Sequence, residues 1–241
     1  LFRSAEVFDV SGEPVHGVHD EGVAVADEPQ REAETVAQLH ALSDAVRIAR
    51  DAGLDPTLIH AANTPGLFGA QDMADPDLML RDAVRVGLGL YGLSPFADRT
   101  PEDFGLRPAM TWSGQIFNVK PIQPGEGTCY GLTWKADKPG FLATVDCGYA
   151  DGLPRGYRGD LHVGIGGHLY PQVGRICMDQ IVVDLGENPH GVDTGQDAVI
   201  FGNGGVSATD LAAAAGTINY EVVCLPDGRT EREYIGEEDA Q

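Results

Sequence analysis

The groups in this chain that could act on a ligand are a few polar residues that interrupt or follow apolar runs. Asn63 and Thr64 come directly after the run at 57–60 and the pair Ala61-Ala62, and Arg85 lies inside the run at 84–91. An amide, a hydroxyl and a guanidinium are donors suited to an anion, and a guanidinium buried in an apolar run needs a partner that accepts its fixed fork of N–H groups. In α/β units such groups gather at the carboxyl ends of strands. Other features carry less. Gly87, Gly89 and Gly92 form a G-x-G-x-x-G match, but it is read as following no separate strand and opening no helix, which removes the context of a dinucleotide fingerprint. The glycine clusters at 164–167 and 202–205 read as hairpin turns. His162 and His168 read as separate surface residues. Cys129, Cys147, Cys177 and Cys224 show no C-x-x-C pair and no histidine at zinc spacing. Four free, buried thiols and no metal centre are therefore expected.

Stepping along the chain, Leu39, Leu42, Val46 and Ala49 recur at spacings of three and four within 31–53, the stripe of a helix packed on one face. The runs at 57–60 and 84–91 read as strands, each followed by turn residues, and with the helix they suggest βα units. From residue 106 the helical period gives way to short β-type runs at 116–122, 141–145, 162–165, 181–185 and 198–201, separated by Gly- and Pro-containing turns. One helix is predicted there over 208–215, because Ser207 and Asp210 make a capping box. Residues 222–225, the turn Pro226-Asp227-Gly228 and residues 229–235 read as a closing hairpin. The predicted domains are 1–105, of α/β type, and 106–241, mainly antiparallel β.

With 42% hydrophobic residues over 241 positions, the chain can bury a substantial core. Its 16 Lys and Arg against 37 Asp and Glu give a net charge of −21, which repels phosphate backbones and anionic lipid surfaces. Nucleic acid and membrane are excluded as partners. No apolar run approaches the roughly 18 residues of a membrane span, and no signal pattern opens the chain, so a cytoplasmic protein is expected. With Leu rather than Met at position 1, the sequence reads as part of a longer polypeptide.

Several blocks together resemble the alanine racemase family. They are His60-Ala61-Ala62-Asn63-Thr64, the segment 84–95 and Leu106-Arg107-Pro108-Ala109-Met110. In the β half they are Cys129-Tyr130-Gly131, Gly148-Tyr149-Ala150-Asp151-Gly152, 174–180, 216–221 and Arg229-x-x-Arg232-x-Tyr234. The blocks occur in family order over 24–234. The resemblance implies the last strands of a (β/α)8 TIM-type barrel followed by an antiparallel β domain. It also implies a homodimer with active sites shared between subunits, and pyridoxal 5'-phosphate as cofactor in the interconversion of L- and D-alanine for peptidoglycan. On this resemblance Asn63, Thr64, the backbone at Gly87 and Leu88, and the Tyr220 hydroxyl cradle the cofactor phosphate. Arg85 faces the pyridine nitrogen, keeps it unprotonated and so weakens the electron sink. Tyr130 is one of the two bases that flank the substrate Cα. Because a tyrosine hydroxyl ordinarily titrates near pH 10, such a base needs positive neighbours. Tyr149 lines the substrate passage and the Met178 backbone meets the substrate carboxylate.

Two departures accompany the resemblance. The family's other base is a Lys at the end of the first barrel strand that also carries the cofactor covalently, but Lys120, Lys135 and Lys138 are the only lysines here, and all lie in the β half. A whole barrel takes roughly 250 residues, so about five of its eight strands are absent. The family also places a His before Ala-x-Ala-Asp that supports the catalytic Tyr. Gly22 stands at that position, with His19 out of register, and residues 1–23 match no family motif. Three readings stay open: an alanine racemase lacking its Lys half, a racemase for another amino acid such as serine, and a non-catalytic module that keeps the β domain for binding or assembly. A pyridoxal-phosphate decarboxylase of the same architecture is a weaker rival.

Overall fold

The computed structural model describes residues 28–73, 75–157 and 161–235. Helix α1 (Glu28–Asp51) carries the stripe foreseen from the sequence: Leu39 is buried and Leu42, Val46 and Ala49 are half-buried, whereas their neighbours are mostly exposed. Strand β1 (His60–Asn63) runs into helix α2 (Thr64–Gly69), and after α3 (Pro76–Met79) comes β2 (Ala83–Arg85), which pairs with β1 in a two-stranded sheet. Both strands differ from expectation. Residues 57–59 are irregular because Ile59 exchanges backbone and side-chain bonds with Asp82 (2.9 and 3.0 Å) before the strand begins. The run at 84–91 is instead the end of a three-residue strand followed by a 3-10 turn, Leu88–Tyr91, which Gly92 closes in the left-handed region with φ of 69°. The G-x-G-x-x-G segment thus does follow a short strand and open a helical turn, contrary to the sequence reading.

The rest is dominated by β3 (Trp112–Ile122), β4 (Gly127–Thr128), β5 (Trp134–Lys135), β6 (Gly140–Val145), β7 (His162–Ile165), β8 (His168–Val173), β9 (Ile181–Gly186) and β10 (Asp197–Phe201). Six of these close into a barrel in the order β10-β3-β6-β9-β8-β7, every pair antiparallel, while β4 and β5 form a small ribbon. Alternation places Ile116, Val145, Val163, Ile165, Ile181, Val183 and Ile200 inside, joined by Trp112 and Phe201 in an edge-to-face pair with centroids 6.1 Å apart. Helix α4 (Ala208–Ala215) starts as predicted, with the Ser207 hydroxyl accepting from the Asp210 N–H at 3.0 Å, and buries Leu211 and Ala212 against the same core. Helix α5 (Asn219–Val222) follows.

By contact density the described residues form two compact units, one of 28–61 with 69–83 and one of 62–68 with 84–235. In the first, the Arg81 guanidinium donates to Ser43 Oγ at 2.6 Å, which ties residue 81 to α1. Every candidate residue belongs to the second. Among the described residues no helix is long and apolar enough to cross a membrane.

Four further expectations are corrected. The closing hairpin does not form: Val222 ends α5, and the segment from Arg229 is held by side-chain bonds to Asp151 rather than by a strand ladder. The glycines at 202–205 connect β10 to α4 instead of turning a hairpin, while Gly166-Gly167 do turn the β7–β8 hairpin. His168 is not separate, since its ring stacks on His190 with centroids 3.6 Å apart. Of the four free cysteines only Cys147 and Cys177 are buried; Cys129 is half-buried and Cys224 exposed. The region of Gly22 and His19 lies outside the described residues.

Candidate active site

The nine candidate residues fall into two sets held by different networks. The first is built on the ends of β1 and β2. Asn63 is the last residue of β1, and its side-chain oxygen accepts from the Gly66 N–H at 3.1 Å, capping the start of α2. Thr64 is 2% exposed, and its hydroxyl oxygen accepts from the N–H groups of Gly87 at 3.0 Å and Gly89 at 3.3 Å. One buried hydroxyl therefore gathers the backbone after β2 to the end of β1 and keeps its own proton available to donate. Leu88 anchors the turn from below, with its side chain buried in the main core. Gly87 is the N-cap of the turn and supplies no side-chain cap, and a Cβ at Gly87 would meet nothing within 4 Å. Open space thus adjoins the amino-terminal end of a helical turn, where an anionic group is favoured.

Arg85 ends β2 and is exposed, which corrects the expectation of a buried guanidinium: the strand is only three residues long and lies in a two-stranded sheet. Tyr220 lies on α5, about one-third exposed, and partial burial raises its hydroxyl pKa above the ordinary tyrosine value. The residue before it positions the helix. Asn219 Nδ2 donates to the Ser94 carbonyl at 3.0 Å, tying α5 to the chain just beyond the turn at Leu88–Tyr91. Asn219 was not singled out from the sequence, although it sits beside Tyr220 in the block at 216–221.

The second set is carried by three turns of the β domain. Tyr130 opens the 3-10 turn Tyr130–Leu132 and is 71% exposed. The turn is sharply bent, with φ of 59° at Cys129, 77° at Gly131 and 46° at Leu132. The Arg175 guanidinium lies against Gly131, 3.6 Å from where a Cβ would stand, and puts a positive group beside the Tyr130 turn. Tyr149 and Met178 are coupled directly. Tyr149 N–H donates to the Cys177 carbonyl at 3.0 Å and Ala150 N–H to the Met178 carbonyl at 2.9 Å, an approach that only glycine at 148 permits. Asp151, itself buried, accepts from the Gly148 N–H at 2.8 Å. Arg229 grips Asp151 through Nε and Nη2, both at 3.0 Å, and reaches Asp179 with Nη1 at 2.8 Å. Asp151 and Asp179 follow Tyr149 and Met178 by two residues and one, so a single guanidinium bridges both segments. Sequence patterning did not reveal this link, since it joins residues 78 positions apart. The three lysines lie elsewhere in the barrel half: Lys120 on β3, Lys135 on β5 and Lys138 in the turn before β6.

Both portions of the chain match known families. Residues 109–234 match the family model described as alanine racemase, C-terminal domain, and residues 22–95 that described as alanine racemase, N-terminal domain. The chain belongs to the alanine racemase family. Among curated proteins, the alanine racemase of Corynebacterium efficiens is 50% identical over 237 residues, covering 98% of this chain and 60% of that protein. That of Mycolicibacterium vanbaalenii is 42% identical over 217 residues, covering 89% and 53%. Among solved structures, alanine racemase from Streptomyces lavendulae superposes with a TM-score of 0.77 at 38% identity, covering 90% of this chain and 55% of that one. The Corynebacterium glutamicum enzyme gives 0.68 at 44% identity, covering 84% and 53%. The chain spans about half to three-fifths of the length of the relatives it matches. Since the Corynebacterium efficiens match covers 98% of the chain, it reaches into residues 1–23, where no family motif was expected.

Proposed function

We propose that this chain supplies the carboxyl-terminal part of a pyridoxal-phosphate-dependent alanine racemase, with residues 1–105 as the last part of an α/β barrel and 106–241 as the β domain. The observation that carries the reading is the Thr64 cradle. A buried hydroxyl gathers the N–H groups of Gly87 and Gly89 at the start of a helical turn, with open space at Gly87. These residues fit a phosphate ester. In this reading Asn63, Thr64, the backbone at Gly87 and Leu88, and the Tyr220 hydroxyl hold the cofactor, with Arg85 toward its ring nitrogen. When bound, the cofactor supplies an electron sink that acidifies the substrate Cα–H. Tyr130 then takes and returns a proton on one face of Cα, with the Arg175 guanidinium beside its turn. Met178 offers its backbone to the substrate carboxylate, and Tyr149 narrows the approach. The Arg229 bridge holds these two in fixed relation.

The family resemblance further supports a homodimer in which Tyr130, Tyr149 and Met178 serve the neighbouring subunit. It supports a cytoplasmic role in making D-alanine for peptidoglycan. The test is a chimera in which the amino-terminal barrel part of the Corynebacterium glutamicum racemase, with its lysine, precedes residues 28–241. The chimera is expected to bind pyridoxal phosphate and convert L-alanine to D-alanine, both enantiomers followed by chiral chromatography. A folded, cofactor-loaded chimera that racemises serine and not alanine would overturn the substrate. One that binds no cofactor would overturn the cradle.

A further inference from the structure

Cys129 and Cys177 flank two of the candidate site residues, preceding Tyr130 and Met178 respectively, and the fold brings their thiols together. Gly174 has φ of 72°, and a Cβ there would stand 2.8 Å from Cys129 Sγ and 2.9 Å from Cys129 Cβ, so the loop after β8 runs directly over the Cys129 side chain. Cys177 Sγ lies 3.5 Å from the Arg175 carbonyl oxygen, and the Arg175 backbone also bonds Cys129 Sγ. Cys129 Sγ lies 3.7 Å from the Val173 carbonyl, and Cys177 acts on it as a side-chain hydrogen-bond partner. Both sulfurs therefore converge on one short loop, although their residues are far apart in sequence. The remaining two cysteines take no part: Cys147 is buried beside Asp151, and Cys224 is exposed beyond α5.

We propose that Cys129 and Cys177 are a redox pair that closes into an intramolecular disulfide and so ties the Tyr130 turn to the Met178 segment. The oxidant is a small-molecule disulfide such as oxidised glutathione. The Cys129 thiolate, the less buried of the two, attacks one sulfur of that disulfide and expels one glutathione thiolate. The Cys177 thiolate then attacks Cys129 Sγ of the mixed disulfide and expels the second. The chain loses two protons and two electrons, and the oxidant is reduced to two thiols. Burial raises the Cys129 thiol above its ordinary value, opposed by hydrogen bonds from Thr128 and the Arg175 backbone. Closing the bond fixes the spacing between the residues that precede Tyr130 and Met178. The crosslink itself does not depend on the racemase reading, whereas its effect on catalysis does.

The experiment uses the 241-residue chain carrying Cys224→Ser, reduced, desalted, exposed to oxidised glutathione and then alkylated under denaturing conditions. Non-reducing peptide mapping is expected to show a Cys129–Cys177 crosslinked peptide two hydrogens lighter than the sum of its parts, with Cys147 alkylated. In Cys177→Ser, glutathione is expected to remain trapped on Cys129, and amide exchange over 128–132 is expected to slow only in the crosslinked form. Three alkylated cysteines, stable glutathione adducts in the parent chain, or a crosslink to Cys147 would each overturn the pairing. A crosslinked chain with unchanged exchange over 128–132 would overturn the tether. A thermal melt of each reduced variant confirms that it folds before oxidation. In the racemase-competent chimera the crosslink is expected to lower turnover reversibly; unchanged turnover there would overturn the regulatory effect while leaving the pair itself intact.

Discussion

Replacing Gly148 by alanine probes the coupling between Tyr149 and Met178 with little ambiguity. An ideal Cβ at 148 would stand 2.3 Å from the Met178 carbonyl oxygen and 2.5 Å from that of Cys177. Comfortable carbon–oxygen contacts lie at about 3.3–3.6 Å, so the two segments must part by about 1 Å. That displacement breaks the bonds from Tyr149 N–H and Ala150 N–H, now 3.0 and 2.9 Å long. Each backbone bond contributes about 1 kcal/mol net, and overpacking a filled interior adds about 1–3 kcal/mol. The total is about 3–5 kcal/mol, which for a chain of this size lowers the melting temperature by about 6–20 °C. The assay is a calorimetric melt of Gly148→Ala beside Gly156→Ala, a control at which an added Cβ meets nothing within 4 Å. In the racemase-competent chimera the same substitution is expected to raise KM for alanine, because Tyr149 and Met178 move apart. If Gly148→Ala melts within about 2 °C of the parent, the argument that these two segments are locked together is refuted.

Gly87→Ala is expected to leave the melt unchanged, since its Cβ meets nothing, while weakening pyridoxal phosphate about tenfold or more in a fluorescence titration, about 1.4 kcal/mol or more. In the chimera, Tyr130→Phe is expected to slow proton abstraction from L-alanine by about 10²–10⁴-fold while sparing abstraction from the D-enantiomer, as read by Cα deuterium exchange from each. Equal small losses in both directions would make Tyr130 structural. Burial pushes the Cys147 thiol up to about 12, with Asp151 and Asp146 adding to the rise. The folded state then keeps a proton that the unfolded thiol sheds near pH 9. Stability is therefore full below that pH and falls as pH rises toward 12, by up to about 1.4 kcal/mol per unit. Cys147→Ala is expected to flatten the alkaline limb of a melt series, and an unchanged slope would rule out this origin.

What could be seen in the sequence was what local chemistry dictates. The Leu39-Leu42-Val46-Ala49 stripe and the Ser207/Asp210 box each specify a helix through neighbours three or four positions away, and both helices form. Residues 222–235 were misread because a short apolar run is equally consistent with a helix end and a strand, and what decides between them is Arg229 reaching Asp151. Likewise the resemblance set Thr64 beside the backbone at Gly87, but the bonds by which its hydroxyl gathers the N–H groups of Gly87 and Gly89 span more than twenty positions and lie beyond local patterning. Barrel closure depends on β10 meeting both β3 and β7, pairings set by the whole sheet rather than by any segment. The motif blocks identified the second set of residues, but the guanidinium that joins two of its turns became visible only in three dimensions.

Because β10 pairs with both β3 and β7, the six-stranded ring has no unpaired outer strand. An open sheet offers rows of free N–H and C=O groups onto which another chain can zip, and a closed one offers none. Whatever docks on this ring must therefore grip it by side chains and projecting loops, not by extending its ladder. Such recognition is discriminating, since it requires matching shape and charge at each loop, and it spares the ring from the indiscriminate strand-on-strand growth that leads to fibres.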